Sequence, residues 1–237
     1  MAEKLPLLDM RLTRISEMVR EGSVCADIGT DHGYLIAYLA VSEKIKGGFA
    51  CDINEKPLLK AQSTIREYEV EDRVKTVLAD GLNGIEKDSV DDIVIAGMGG
   101  DLIAKIIDEC PWSRDSKLHF ILQPMTKADA LREYLCNNGF EIEYERAADT
   151  KRFIYTILSV KYTGEKREYD DFFLTVGKLP QSRDIEAEHY MRRKAQALLN
   201  TAESMTHSPA SIEKAKITKE LAERILKSAD EFKIDIE

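Results

Sequence analysis

The sequence predicts an α/β protein with an open, doubly wound sheet, followed by a helical hairpin. Three observations support this fold class. Short apolar runs alternate with helical patterns from residue 23 to about residue 160, the alternation ends in two adjacent extended runs, and the segment after Gly164 is helical in pattern throughout. Regular strand–helix alternation implies right-handed crossovers between parallel strands.

The elements of the sheet follow in chain order. Before the first strand, apolar residues from Leu7 to Val19 recur at helical spacing and predict an amphipathic helix. Five runs rich in Val, Ile and Cys predict buried parallel strands at residues 23–27, 48–53, 74–79, 92–96 and 118–122. Helical patterns between and after them occupy residues 34–43, 55–69, 101–110 and 127–138, the last ending at Gly139, a suitable C-cap.

Two extended runs at residues 140–147 and 153–162 stand too close together for an intervening helix. They predict an antiparallel hairpin that closes the sheet. A parallel sheet with such a terminal hairpin resembles the Rossmann-like fold of class I methyltransferases.

The C-terminal part predicts two helices with matching seams. Met191, Ala195, Leu198, Ala202 and Met205 step by heptad spacing, and a second series (Ala215, Ala222, Ile225, Ala229, Phe232) keeps the same frame. His207-Ser208-Pro209 separates them, and Pro209 blocks continuation of the first helix. We therefore expect domains at residues 1–162 and 163–237, the second being either a cover for the sheet or an arm that holds substrate.

The composition restricts the function classes. The 237 residues carry 34 Lys+Arg and 43 Asp+Glu, a net charge of -9, which excludes a nucleic-acid binder that is basic all over. Residues 1–160 hold 28 acidic and 20 basic residues, so the acidic excess lies in the first domain. A local basic face remains compatible with this balance.

The sequence also indicates a compartment. Its longest apolar stretch, residues 33–41, is too short to span a bilayer, and its first residues lack the pattern of a secretory signal. Four cysteines without a C-x-x-C pair favour buried free thiols over disulfides or metal ligands. We expect a cytoplasmic protein without membrane or metal partners; the sequence leaves the oligomeric state open and favours a monomer.

The first strand leads into Asp27-Ile28-Gly29-Thr30-Asp31-His32-Gly33-Tyr34, which has the spacing of a nucleotide-cofactor loop. Asp52 stands 19 residues after Gly33, beside Ile53, where a carboxylate can accept from ribose hydroxyls. Asp80-Gly81 follows the third strand, where an acidic side chain can reach an adenine edge. The alternative is that each acidic residue only caps the following helix.

The charge of this loop selects the cofactor. A dinucleotide loop presents helix-terminal N–H groups to a pyrophosphate, which acidic side chains would repel. Asp27 and Asp31 instead suit the ammonium and sulfonium of S-adenosylmethionine. The residues thus favour this methyl donor over NAD.

The fourth strand ends in Gly97-Met98-Gly99-Gly100 and lacks the D/N-P-P-Y/F segment of many amino-group methyltransferases. Its glycines leave backbone groups facing the cofactor and room for a flat base. Met98 is either a soft contact or core. Gln123, at the end of the fifth strand, can either hydrogen-bond a base edge or cap the loop.

Three segments in this order, D-I-G-T-D-H-G-Y-L, A-G-M-G-G and L-Q-P, resemble the bacterial TrmK family of tRNA (adenine(22)-N1)-methyltransferases. The similarity covers roughly residues 5–160, and Leu8-Asp9-Met10-Arg11-Leu12 and the helical hairpin also fit. One departure is Ile36, where the family generally has proline, and we expect only a packing change there.

The resemblance implies S-adenosylmethionine-dependent methylation of adenine N1, with tRNA as partner. Asp31 is the first candidate to stabilise the charge that develops on the base, and Gln123 is the second catalytic candidate. The expected cofactor contacts are Asp27, Ile28, Gly29, Asp31, His32, Gly33, Tyr34, Asp52, Ile53, Asp80, Gly81, Gly97, Met98 and Gly99.

Reaching the N1 edge of a core adenine requires local opening of the tRNA, which aromatic stacking offsets. Tyr34 and Phe153 are candidates for that stacking. The expected phosphate contacts are Arg11, Arg14, Lys127, Arg132, Lys151, Arg152, Arg192 and Arg193. Two alternatives stay open: a small-molecule methyltransferase, and a non-catalytic RNA-binding protein that retains the fold.

Overall fold

The computed structural model describes residues 5–205 and 209–232. Seven strands form one sheet in the order β3-β2-β1-β4-β5-β7-β6. They are β1 (Ser23–Ile28), β2 (Ile45–Asp52), β3 (Val74–Leu78), β4 (Asp92–Gly99), β5 (His119–Thr126), β6 (Phe140–Asp149) and β7 (Ile154–Tyr162). β1 to β5 pair in parallel, whereas β7 is antiparallel to both β5 and β6. The predicted fold, including its terminal hairpin, is confirmed.

Helices cover both faces of the sheet. They are α1 (Met10–Met18), α2 (Tyr34–Val41), α3 (Glu55–Glu67), α4 (Gly100–Glu109) and α5 (Ala128–Asn137). One core packs α4 and α5 against the sheet, and a second core packs α1, α2 and α3 against its other face. Ile36 is fully buried against Gly48 in the second core, so the departure from the family pattern lies in helix–sheet packing.

The first helix has a defined start. Asp9 is its N-cap, and the Asp9 carboxylate accepts a hydrogen bond from the Leu12 N–H at 2.8 Å. Ile15 and Met18 are buried in the core of this face. The N-terminal turn of α1 is thereby fixed over the carboxyl ends of the strands.

The C-terminal part contains two short helices that the sequence patterns did not single out, α6 (Asp171–Val176) and α7 (Leu179–Ser182), and two long ones, α8 (Ile185–Ser204) and α9 (Pro209–Asp230). We call α8 and α9 the helical arm. The predicted seam residues Met191, Ala195, Ala222, Ile225 and Ala229 form its fully buried core. His207 and Ser208 of the predicted connection lie outside the described residues, as do the first four residues.

A buried ion pair joins the sheet to this part of the chain. The Arg132 guanidinium on α5 donates to both Glu145 carboxylate oxygens, at 3.0 and 2.7 Å, and to the carbonyls of Leu174 and Thr175. Thr156 Oγ1 and the Lys178 N–H also donate to Glu145. We call this cluster the arm junction.

The prediction that Arg132 contacts RNA is wrong. Its side chain has 0% exposure, because α5 turns this residue inward onto Glu145. The sequence pattern did not reveal the partner, which lies on the hairpin strand β6.

The remaining composition-based expectations concern thiols, membranes and metals. All four cysteines are buried, and burial raises the pKa of the Cys51 thiol to about 12. In residues 5–205 and 209–232, no helix combines the length and apolarity needed to cross a bilayer. The same residues contain no cluster of His, Cys, Asp or Glu suited to a metal ion.

Candidate functional site

A cavity of about 530 Å³ opens at the carboxyl ends of β1 and β4. This volume suits a small-molecule site. The lining residues are Asp9, Arg11, Leu12, Asp27, Gly29, Thr30, Asp31, His32, Gly33, Tyr34, Leu35, Ala96, Gly97, Met125, Thr150 and Tyr155. They come from α1, the loop between β1 and α2, the ends of β4 and β5, and the hairpin.

The loop after β1 depends on two glycines with positive φ. Gly29 has φ +78°, and a Cβ there would collide with the terminal methyl of Met98. Gly33 has φ +69° and packs against Ala61 of α3, 3.0 Å from the position a Cβ would take. The N–H groups of Gly29 and Thr30 both donate to the Cys51 carbonyl, at 2.8 and 2.9 Å, which ties the loop to β2.

Asp27 lies at the base of the cavity, near the end of β1, with 7% exposure. Burial raises the pKa of its carboxyl to about 6, and the nearby Asp52 carboxylate adds to the rise, while Thr30 and Arg11 oppose it. Asp27 therefore exchanges its proton close to neutral pH. A cation that enters the cavity stabilises the ionised form.

Asp31 lies at the rim with its side chain 74% exposed. Lys60 of α3 stands 3.6 Å from Asp31 Oδ1 and 3.3 Å from His32 Nε2, and His32 Nε2 lies 3.4 Å from Asp31 Oδ2. The His32 ring is parallel to that of Tyr34, with 5.4 Å between centroids. The rim thus combines an exposed carboxylate, which lies against Lys60 and His32, with a flat aromatic surface.

Gln123 does not reach an open base site, and the loop-capping alternative is the correct one. Its side chain is fully buried, and Oε1 accepts from the Gly97 N–H at 3.1 Å and from Arg11 Nη1 at 2.9 Å. Its Nε2 donates to the Pro124 carbonyl at 3.0 Å. The amide therefore fixes the turn at the end of β4, and the catalytic prediction for Gln123 is corrected to a positioning role.

Arg11 also differs from its predicted placement. We expected it to contact tRNA phosphates, but its side chain is 21% exposed and lines the cavity beside Asp27 and Gly97. The α1 helix directs it inward, since α1 packs over the strand ends. A phosphate contact by Arg11 on the protein surface is not supported.

The other predicted cofactor contacts do not line the cavity. Met98 packs against Gly29, Gly99 is the N-cap of α4, and Ile28 is buried in the core. Asp52, Ile53, Asp80 and Gly81 lie at or beyond the ends of β2 and β3, outside the cavity lining. Asp52 Oδ1 accepts from the Asn54 N–H at 2.7 Å, so this carboxylate takes part in the turn before α3.

The other six predicted phosphate contacts divide into two groups. Arg14, Lys127 and Arg192 already face carboxylates: Arg14 pairs with Glu17 and Glu186, Lys127 with Asp101, and Arg192 with Glu188 and Asp230. Lys151, Arg152 and Arg193 belong to a second group at the hairpin turn.

This second group forms the hairpin-turn patch, together with Phe153. Arg193 Nη2 donates to the Arg152 carbonyl at 3.1 Å, so α8 touches the turn. The Arg152 guanidinium lies 5.1 Å from the centroid of the half-exposed Phe153 ring. Because Thr150 lines the cavity, the patch borders its opening.

Sequence reasoning missed several lining residues. Met125, Thr150 and Tyr155 meet the cavity only because β7 inserts between β5 and β6, a pairing that residue patterns do not specify. Thr30 lies within the first motif and could have been selected there. Its Oγ1 is buried beside Asp27, where it lowers the pKa of that carboxyl.

Comparisons with known proteins agree with this geometry. Residues 8–158 match the family model described as a methyltransferase domain. A Bacillus subtilis protein described as tRNA (adenine(22)-N(1))-methyltransferase is 33% identical over 172 residues, which span 73% of this chain and 72% of that protein.

Solved structures add the fold of the whole chain. The Bacillus subtilis m1A22 tRNA methyltransferase TrmK superposes with a TM-score of 0.81 at 26% identity, covering 93% of this chain and 99% of that one. Streptococcus pneumoniae Sp1610, in complex with S-adenosyl-L-methionine, has a TM-score of 0.77 at 25% identity, with coverage of 95% and 99%.

The sequence motifs, the seven-stranded sheet with its antiparallel end and these similarities converge on one assignment. The chain belongs to the TrmK family of methyltransferases.

Proposed function

We propose that this protein methylates N1 of adenine 22 in tRNA, with S-adenosylmethionine as the methyl donor. One observation carries the proposal: the TrmK-type motif loop, Gly29 to Gly33, forms the wall of an acidic cavity at the ends of β1 and β4. The 33% identity with the Bacillus subtilis tRNA (adenine(22)-N(1))-methyltransferase supports the same substrate.

The cavity residues fit this cofactor. Asp27 offers a buried carboxylate to a cation, and the neighbouring Thr30 hydroxyl favours its ionised form. Asp52, Ile53, Asp80 and Gly81, at the ends of the neighbouring strands, are proposed to hold the adenosine part. When bound, S-adenosylmethionine supplies an electrophilic methyl group on its sulfonium.

Adenine N1 is a neutral lone-pair nucleophile, so this chain needs no base to expose it. Its task is alignment, which is worth several kcal/mol when reacting groups are held in order. As the base becomes positively charged, the Asp31 carboxylate at the rim stabilises that charge. Lys60, 3.6 Å away, restricts where Asp31 points.

The tRNA contacts follow from the surface around the cavity. Tyr34, which lines the cavity, and Phe153, in the hairpin-turn patch, are half-exposed and offer rings for stacking on an unpaired base. The hairpin-turn patch supplies cations for adjacent phosphates. We further propose that residues 1–162 form the catalytic domain, that residues 163–237 form a second domain, and that the protein acts as a cytoplasmic monomer.

The decisive experiment uses unmodified tRNA transcripts and labelled methyl donor, followed by nucleoside digestion and mass spectrometry. We expect one N1-methyladenosine per tRNA and none in a transcript in which adenine 22 is replaced by guanine. Methyl transfer to another position, or to small metabolites but not to tRNA, would contradict the proposal. Donor binding without any transfer would favour a non-catalytic RNA-binding protein.

A further inference from the structure

We propose that Arg11 binds the α-carboxylate of the methyl donor, so that the first helix completes the cofactor site. The inference rests on the proposed function, because it requires S-adenosylmethionine in the cavity. It assigns to Arg11 a ligand contact in place of the surface phosphate contact that the sequence suggested.

The charge distribution of the cavity leads to this assignment. Among the described lining residues, Arg11 is the one arginine or lysine, and it faces three aspartates, Asp9, Asp27 and Asp31. The donor carries two cationic groups, its ammonium and its sulfonium, and a single anionic group, its carboxylate. Carboxylates therefore suit the cationic groups, and the guanidinium suits the carboxylate.

The position of Arg11 is fixed by contacts that leave donors unused. Nη1 donates to Gln123 Oε1 at 2.9 Å, and Nε lies 4.0 Å from Asp9 Oδ2, beyond hydrogen-bond distance. A guanidinium has five N–H groups. Within residues 5–205 and 209–232, the single hydrogen bond to Gln123 leaves the others for a ligand.

The surrounding structure makes this arrangement rigid. Gln123 is itself held by the Gly97 N–H and by the Pro124 carbonyl, and Asp9 caps the helix that carries Arg11. The guanidinium also lies near enough to Asp27 to oppose the rise of its pKa. Arg11 and Asp27 thus present opposite charges side by side, as the carboxylate and ammonium of one amino acid require.

The test compares two ligands by calorimetry, S-adenosylhomocysteine and its decarboxylated analogue. The wild type is expected to bind S-adenosylhomocysteine about 10- to 100-fold more tightly, the effect of one charge-assisted contact. Arg11→Gln should weaken the binding of S-adenosylhomocysteine by about that factor, and its affinity for the analogue should stay within about threefold of the wild-type value. Arg11→Lys, which keeps the charge but not the planar fork, should fall between them.

Arg66→Gln is the matched control, since Arg66 is an exposed arginine on α3 outside the cavity. It should bind both ligands as the wild type does. Equal weakening of both ligands by Arg11→Gln, with an unchanged melting temperature, would overturn the inference and assign Arg11 to the support of Gln123.

If Arg11→Gln does not fold, the ratio of the two affinities in Arg11→Lys decides. The inference would also be overturned if Arg11→Lys had the same affinity ratio as the wild type, or if the wild type bound the two ligands equally well. Either result would leave the proposed function intact. Failure of the wild type to bind either ligand would overturn both.

Discussion

Asp27 in the cavity and Glu145 in the arm junction are both buried carboxylates, but their surroundings differ. Glu145 receives hydrogen bonds from Arg132, Thr156 and the Lys178 N–H. Asp27 faces a cavity, beside the Thr30 hydroxyl and beside Arg11, whose hydrogen bond goes to Gln123. The pKa of Asp27 is raised to about 6 as a result of its burial.

The hydrogen bonds that each buried carboxylate receives from its own chain indicate its role. A buried charge that its own chain saturates holds the fold together, because removing any partner leaves a costly unpaired group. A buried carboxylate that its own chain leaves short of hydrogen bonds is destabilised until a ligand supplies a counter-ion. The junction should therefore respond to mutation in stability, and the cavity in binding and catalysis.

The largest expected effect is at the junction. Arg132→Met should destabilise the protein by about 3–5 kcal/mol, because Glu145 is left buried without its counter-ion. Denaturant unfolding followed by circular dichroism measures this change. The proposed methyl-transfer activity at low temperature should survive in the fraction that remains folded.

The matched control is Arg167→Met, which removes an exposed arginine that pairs with Glu141 and Glu165. It should hardly change the unfolding midpoint. The double variant Arg132→Met/Glu145→Leu should regain much of the lost stability, since no unpaired charge remains. If the double variant is as unstable as the single one, the ion pair is not the reason for the loss.

Asp31→Asn is expected to act on the reaction. It removes the carboxylate that we propose faces the developing positive charge, and it should lower kcat about 100- to 1,000-fold. Binding of S-adenosylhomocysteine should change far less, because Asp31 lies at the exposed rim. Single-turnover methylation of tRNA and calorimetry separate the two quantities.

The same variant can contradict the assignment. Equal losses in transfer and in donor binding would make Asp31 only a cofactor ligand. His32→Asn is a useful comparison, because it keeps Asp31 but removes the ring that stacks on Tyr34. Its effect on kcat should be much smaller than that of Asp31→Asn.

Features that depend on the local backbone could be predicted from the sequence, whereas side-chain roles that depend on distant partners could not. Strand–helix periodicity and the spacing of glycines report local backbone requirements, so the sheet and the loop at Gly29 and Gly33 followed directly. Arg132, Gln123 and Arg11 have roles set by partners 13, 26 and 112 residues away. No local pattern specifies such pairs, and a basic residue on a helix looks the same whether it faces solvent or a buried carboxylate.

Asp27 predicts an unusual dependence of stability on pH. An unfolded aspartate has a pKa of about 3.9, whereas folded Asp27 titrates near 6. The folded state binds more protons at Asp27 between these values, so the contribution of this residue to stability is greatest below pH ~4 and is lost as the pH rises through about 6. Asp27→Asn should therefore be more stable than the wild type at pH 7, by up to about 3 kcal/mol, and similar to it near pH 4.

The free energy of unfolding of the ligand-free wild type and of ligand-free Asp27→Asn is measured from pH 4 to pH 7. Taking the difference between the two proteins cancels the titration of the other carboxylates. Ligand affinity should depend on pH in the opposite direction. S-adenosylhomocysteine should bind the wild type about tenfold more tightly at pH 7 than at pH 5, because Asp27 must ionise to hold the ammonium. A wild-type affinity that does not change with pH would show that Asp27 makes no such contact.

The smallest expected effects lie outside both buried sites, in the hairpin-turn patch. Arg152→Gln and Arg193→Gln should each raise the KM for tRNA a few-fold and lower the slope of log affinity against log salt by about 1. Neither should change S-adenosylhomocysteine binding, since both side chains lie outside the cavity. Arg66→Gln, with the same loss of charge on α3, should leave the slope unchanged. If all three variants change the salt slope alike, the patch has no special role and tRNA is held by diffuse charge. A change of slope confined to the Arg152 and Arg193 variants would place the bound RNA beside the cavity opening, between the hairpin and the helical arm.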